Sequence, residues 1–191
     1  MSKLTTWIAA GALALLAPVA ATATVLNFDN LGSDGSVPAN YGGLNWSAGG
    51  WGFYDFTGDA PPYTPHSGNG RAVLNWDADK AASHIGFVQD MVFDGAWFAG
   101  LQGATVQYEL YLDGALVGTS AVLDPTGAST FLASGYTGLV DAIEFVGPSL
   151  ASVVMDDFTF HAQANAVPEP ASAALLLAGL AGLAIRRRQR G

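Results

Sequence analysis

The chain has no cysteine among its 191 residues. Disulfides, thiolate nucleophiles and cysteine-held zinc or iron–sulfur sites are therefore excluded. Basic residues are almost as scarce where a folded domain would lie. Between Thr24 and Ala166 only Arg71 and Lys80 stand against fifteen Asp and Glu. The whole-chain formal charge of −9 understates this, because four of the seven basic residues sit at the far C-terminus. Nucleic acid is not a partner for such a body, since that binding depends on Lys and Arg neutralising phosphates. A solvated exported surface suits it, as does a surface that uses divalent cations to relieve its own repulsion. Histidine occurs three times, at His66, His84 and His161, never as His-x-x-x-His. No Gly-x-Ser-x-Gly elbow and no Walker or dinucleotide glycine pattern is present. Fifteen carboxylates make any one pair of acids uninformative as a glycosidase signature. The expectation is a protein that is not an enzyme.

What is there begins at the two ends. Lys3 supplies a positive start, Trp7 to Leu16 is apolar and broken only by glycine, and Pro18 precedes Ala21-Thr22-Ala23. That order reads as a secretory signal peptide over residues 1–23, with cleavage after Ala23. Its apolar stretch is shorter than the roughly 20 residues of a spanning helix. At the other end, residues 161–170 form a linker that contains Val167-Pro168-Glu169-Pro170. Residues 171–185 then carry no polar side chain beyond Ser172 and lead into Arg186-Arg187-Arg188-Gln189-Arg190-Gly191. As a helix, residues 171–185 reach about 22 Å against a hydrocarbon core of about 30 Å. The expectation is a short transmembrane segment whose arginines snorkel to the interface. The positive-inside rule keeps Arg186, Arg187, Arg188 and Arg190 in the cytoplasm as residues 186–191 and leaves the preceding domain outside. Pro168 and Pro170 hold the chain extended and keep the helix from starting earlier.

Val-Pro-Glu-Pro, an alanine- and leucine-rich segment and an arginine-rich end, in that order, resemble the PEP-CTERM sorting domain of Gram-negative exported proteins. The resemblance implies recognition and processing by exosortase, an inner-membrane enzyme. It also implies a transient membrane anchor, followed by residence at the cell surface or in the extracellular matrix. The family's Pro-Glu-Pro falls on Pro168, Glu169 and Pro170. The tail carries no catalytic meaning.

Between the two signals, 143 residues suffice for one domain with a real core. They read as short strands at Thr24–Asp29, Leu44–Ser47, Trp51–Phe56, Arg71–Trp76 and His84–Met91. Thr105–Leu112 and Leu116–Leu123 flank Asp113-Gly114, the strongest short hairpin signal in the chain. Val106, Tyr108, Leu110 and Leu112 share one face of the first arm. Leu139–Val146 and Ser152–Phe160 follow, with Val154, Phe158 and Phe160 on one face. Asp59–Gly70, with three prolines, is neither a helix nor a central strand. The expected fold over residues 24–160 is all-β, a jelly-roll-like β-sandwich, followed by one C-terminal hydrophobic helix. The body also looks like other PEP-CTERM proteins, with an early Phe28-Asp29-x-Leu31, a Tyr41-Gly42-Gly43 loop and a terminal Asp156-Asp157-Phe158.

Two ligand sites are expected. The first is a structural calcium ion shared by Asp29, at the end of the first strand, with Asp156 and Asp157 in the last. The layout resembles calcium-bearing jelly-roll carbohydrate modules, in which a first-strand acid and a last-strand Asp share one ion. Calcium takes six to eight hard oxygen ligands. Alternation puts Asp156 in phase with Val154 and Phe158, and an unpaired inward carboxylate is costly. The plain alternative puts both acids at an exposed strand end or a turn. Asn75, Asp77 and Asp79 resemble the start of a calcium loop but lack its glycine and final Glu, so a surface turn is preferred. The second site is a sugar platform at Trp46, Trp51 and Tyr54, with Asn45 and Asp55 as acceptors for hydroxyl groups. The plain alternative is that these rings pack between sheets. Two functions follow: an exported, C-terminally sorted surface or matrix protein, or a calcium-stabilised carbohydrate-binding module for extracellular polysaccharide.

Overall fold

Short runs of β-branched and aromatic residues, punctuated by glycine and proline, become strands. The computed structural model describes residues 22–55, 58, 61–74, 76, 83–163, 179 and 186. Ala21–Gln163 form a compact unit of their own. Its strands are β1 (Thr24–Leu26), β2 (Asp34–Ser36), β3 (Leu44–Asn45), β4 (Gly52–Tyr54), β5 (Arg71–Val73) and β6 (Ser83–Gly100). They continue with β7 (Gln107–Leu112), β8 (Ala115–Thr119), β9 (Thr130–Ala133), β10 (Leu139–Val146) and β11 (Val153–His161).

The expected jelly-roll-like sandwich is overturned. All eleven strands belong to one continuous antiparallel sheet, ordered β2-β4-β5-β11-β6-β10-β7-β8, with β1 on β11 and both β3 and β9 on β6. The sheet is not closed into a barrel or divided into two facing sheets. The reason is β6, eighteen residues long and more than twice the strand read from His84–Met91. Its first half pairs with β3 and β10, its second half with β9 and β11, and Val92 lies opposite both Leu139 and His161. A strand shared in this way joins what would otherwise be two ladders. β2 and β9 are the strands that pattern reading missed; each is at most four residues long.

The hairpin between β7 and β8 is as expected. Asp113 and Gly114 both have positive φ, 51° and 74°, which suits the right-handed twist of the flanking strands. Val106, Tyr108 and Leu110 are fully buried on one face. The expected phase of β11 is wrong. Val153, Met155, Phe158 and Phe160 join the main core, whereas Val154 packs with Val73 and Ala99 in a separate small cluster. The pairing of β11 with β6 slips between Asp156 and Thr159, and Asp157 has φ 46°. One extra residue there inverts the side-chain alternation.

The core is a chain of rings. Trp46 meets Trp51 edge-on at 5.3 Å, Trp51 meets Phe145 at 4.9 Å, Phe145 meets Tyr108 at 5.3 Å and Tyr108 meets Phe93 at 4.9 Å. Phe93 stacks on Phe158 at 4.7 Å. Each pair adds about 0.5–1.5 kcal/mol beyond area burial. The buried Tyr108 hydroxyl donates to the Leu132 carbonyl at 3.0 Å, and burial raises its pKa well above the ordinary value.

Among the described residues no helix is long and apolar enough to cross a membrane. The expected segment over residues 171–185 lies outside the described residues apart from Gly179, as does the signal peptide apart from its last two residues.

Candidate functional site

Leu26 and Phe28 are buried while Val25, Asn27, Asp29 and Asn30 are exposed, so the first strand and the turn after it send polar groups to one side. Phe28 holds φ 60° and packs its ring against Tyr41 at 5.5 Å and Trp46 at 5.9 Å. Tyr41 opens a 3-10 turn, Tyr41–Gly43. Its hydroxyl donates to Asn30 Oδ1 at 2.9 Å, and its carbonyl accepts Trp46 Nε1–H at 2.8 Å. Burial raises the Tyr41 pKa, with Asp29 and Asp156 adding to it and the Phe28 backbone opposing.

The three expected calcium ligands close on one segment, His66–Gly70. Asp29 Oδ1 accepts the N–H groups of Asn69 at 2.9 Å and Gly70 at 2.7 Å. Asp156 Oδ2 accepts those of His66 at 2.8 Å and Ser67 at 2.7 Å, and its Oδ1 accepts Asp157 N–H at 2.7 Å. Asp157 takes the Ser67 hydroxyl at 2.9 Å and lies 2.6 Å from His66 Nδ1. The His66 ring stacks on Trp97 at 3.5 Å and 12°. Gly68, at φ 50°, lies so close to the Asp29 carboxylate that a Cβ would overlap it.

Asp156 is 2% exposed. Burial pushes its carboxyl up to about 6; the Ser67 N–H opposes this and the Asp157 charge adds to it. The N–H groups therefore satisfy the anion without fully offsetting its desolvation. Three carboxylates clip one loop to the first and last strands. Among the described residues no three His, Asp or Glu side chains converge to hold a metal ion. Ser, His and Asp do meet here, but Ser67 gives its proton to Asp157 and not to His66, which is not the order of a nucleophilic relay.

The expected sugar platform is largely packed into the core. Trp46 is 2% and Trp51 3% exposed, and Trp51 Nε1 donates to the His84 carbonyl at 2.9 Å. Both indoles are committed to the ring chain, with no face left for a sugar. The hollow beside them is about 120 Å³, below the roughly 300–1,000 Å³ of ligand pockets. Tyr54 is half-buried, its ring covered by the Arg71 guanidinium at 4.1 Å. Asn75, Asp77 and Asp79 lie outside the described residues.

The reading of Asp59–Gly70 as neither helix nor central strand missed His66–Gly70 as the meeting point. The available signal was its run of small residues, which presents successive N–H groups to anions. An open groove of about 550 Å³ lies beside this corner, lined by Val25, Asn27, Asp29, Asn30, Tyr41 and Gly42.

An all-β domain with an acidic surface and a clipped loop is thus followed by a patterned tail. Residues 166–189 match the PEP-CTERM protein-sorting motif. The protein is an exported, C-terminally sorted PEP-CTERM protein. Val167 to Pro170 and Arg186 to Arg188 fall within the match and Arg190 just beyond it; of these, only Arg186, exposed, is among the described residues. Neither the curated proteins nor the solved structures contain a match to the chain.

Proposed function

We propose that the acidic β-domain is the passenger of this sorting signal and works as a structural component at the cell surface or in the extracellular matrix of a Gram-negative bacterium. The observation that carries the reading is the motif at residues 166–189, which begins just past the compact unit ending at Gln163. The motif implies processing by an exosortase-type enzyme. In this reading the hydrophobic segment holds the chain in the inner membrane until processing frees the domain. The test follows tagged full-length chain in cells with and without exosortase, by fractionation and by size. Accumulation of longer, membrane-held chain when the enzyme is missing supports it. The same size and distribution in both strains would sink it.

A calcium-stabilised carbohydrate module is the second reading. One observation favours it: Asp29, Asp156 and Asp157 meet on a single loop, and a cation there would offset the burial of Asp156. Thermal unfolding with calcium and with chelator decides it. A calcium-dependent rise in Tm that is lost in Asp29→Asn supports the ion; identical curves remove it.

A further inference from the structure

We propose that the groove beside the first strand binds a neutral saccharide. The proposal deepens the surface reading and rests on it for where that ligand is met. Asn27 Oδ1 already accepts Asp29 N–H at 3.4 Å, and Asn30 Oδ1 accepts the Tyr41 hydroxyl at 2.9 Å. Each amide keeps its NH2 group as a donor and one lone pair on Oδ1 as an acceptor. Asp29 Oδ1 is filled by two backbone N–H groups, which leaves its second oxygen as an acceptor. Two amide donors and a carboxylate acceptor within four consecutive residues match vicinal hydroxyls, each of which donates and accepts. The groups are held in place by the Tyr41 contact and the Asn69–Gly70 clip, so little ordering cost falls on binding.

The rest of the lining suits the apolar side of a sugar ring. Val25 is 51% exposed, Tyr41 presents part of a ring, and Gly42 exposes bare backbone. Gly42 has φ 62°, and a Cβ there would meet Leu26 side-chain atoms at 2.5 Å, so this wall stays without a side chain. The volume, about 550 Å³, lies in the range of small-ligand sites. Charge selects against anions: Asp29 lines the groove, and among the described residues no basic one does. Phosphorylated and uronic-acid ligands are disfavoured accordingly.

The experiment passes the full-length chain, in non-ionic detergent, over immobilised dextran, β-1,3-glucan, galactomannan and the anionic polymer alginate. Retention on at least one neutral polymer, in preference to alginate, is expected. Asn27→Ala with Asn30→Ala should lower that retention at least about tenfold, the loss of roughly one to two hydrogen bonds. Because Asn30 also holds Tyr41, Val25→Glu serves as a second variant: it sits at an exposed position, adds a carboxylate to the groove and should abolish retention. Tm of each variant is recorded alongside. No retention of the wild type on any neutral polymer, stronger retention on alginate, or unchanged retention in both variants overturns the proposal. Since cell fractionation is scored separately, mislocalised protein that still binds dextran would count against the surface reading alone.

Discussion

The ring chain and the carboxylate corner hold the same sheet by opposite means. From Phe28 through Trp46, Trp51, Phe145 and Tyr108 to Phe93, stability comes from apolar burial, which has no pH dependence and little directionality. At the corner, three anions and a run of N–H groups hold a loop that has few apolar side chains to bury. The first device sets the amount of stability; the second sets where one loop lies and makes that placement responsive to protons.

Truncating the ring chain should have the largest effect. Trp46→Ala leaves a cavity in a site 2% exposed and should cost about 3–5 kcal/mol, read as a lower denaturant midpoint at every pH. Next comes the proton response of the corner. The folded Asp156 carboxyl titrates at about 6, above its ordinary 3.8, so the folded state holds this proton more tightly than the unfolded chain does. Its contribution is fully present below pH 3.8 and is lost as pH rises through about 6. Across that window wild type should gain up to about 3 kcal/mol on acidification relative to Asp156→Asn, checked by parallel denaturant titrations. Equal pH dependence in the two proteins would erase the distinction between the two devices. Asp29→Ala should cost less, about 1–2 kcal/mol, and should raise hydrogen exchange at Asn69 and Gly70 while leaving the ring chain protected. Tyr41→Phe removes one hydroxyl bond where the two regions touch, and about 1 kcal/mol is expected in thermal unfolding.

Much of this was legible in the sequence. Asp113-Gly114 fixed a hairpin because only a few residue types adopt its φ angles, and the alternation of Val106, Tyr108 and Leu110 fixed its buried face. Asp29, Asp156 and Asp157 do reach one loop, because β1 pairs with β11, but each is tied to N–H or O–H donors of that loop, and among the described residues no three acids converge to hold a metal ion. What was not legible depends on more than local pattern. Nothing in residues 92–100 announces that β6 will continue past Met91 to serve two sets of neighbours, and that continuation is what makes one sheet out of an expected two. The bulge at Asp156–Asp157 defeats a period-two reading because the inserted residue has no compositional mark. The rings at Trp46 and Trp51 look alike in sequence whether they face a ligand or each other; only the partners decide.

The place of β11 in the sheet has a consequence for how the exported chain folds. β11 lies between β5 and β6 and also carries β1, so the last strand of the domain is an interior one. A chain exported N-terminus first must therefore hold strands β1 to β10 without their central partner until residues 153–161 have crossed. The sorting motif starts five residues after His161. The domain thus becomes able to fold only just before its sorting motif follows, and folding and sorting are timed by one short stretch of chain.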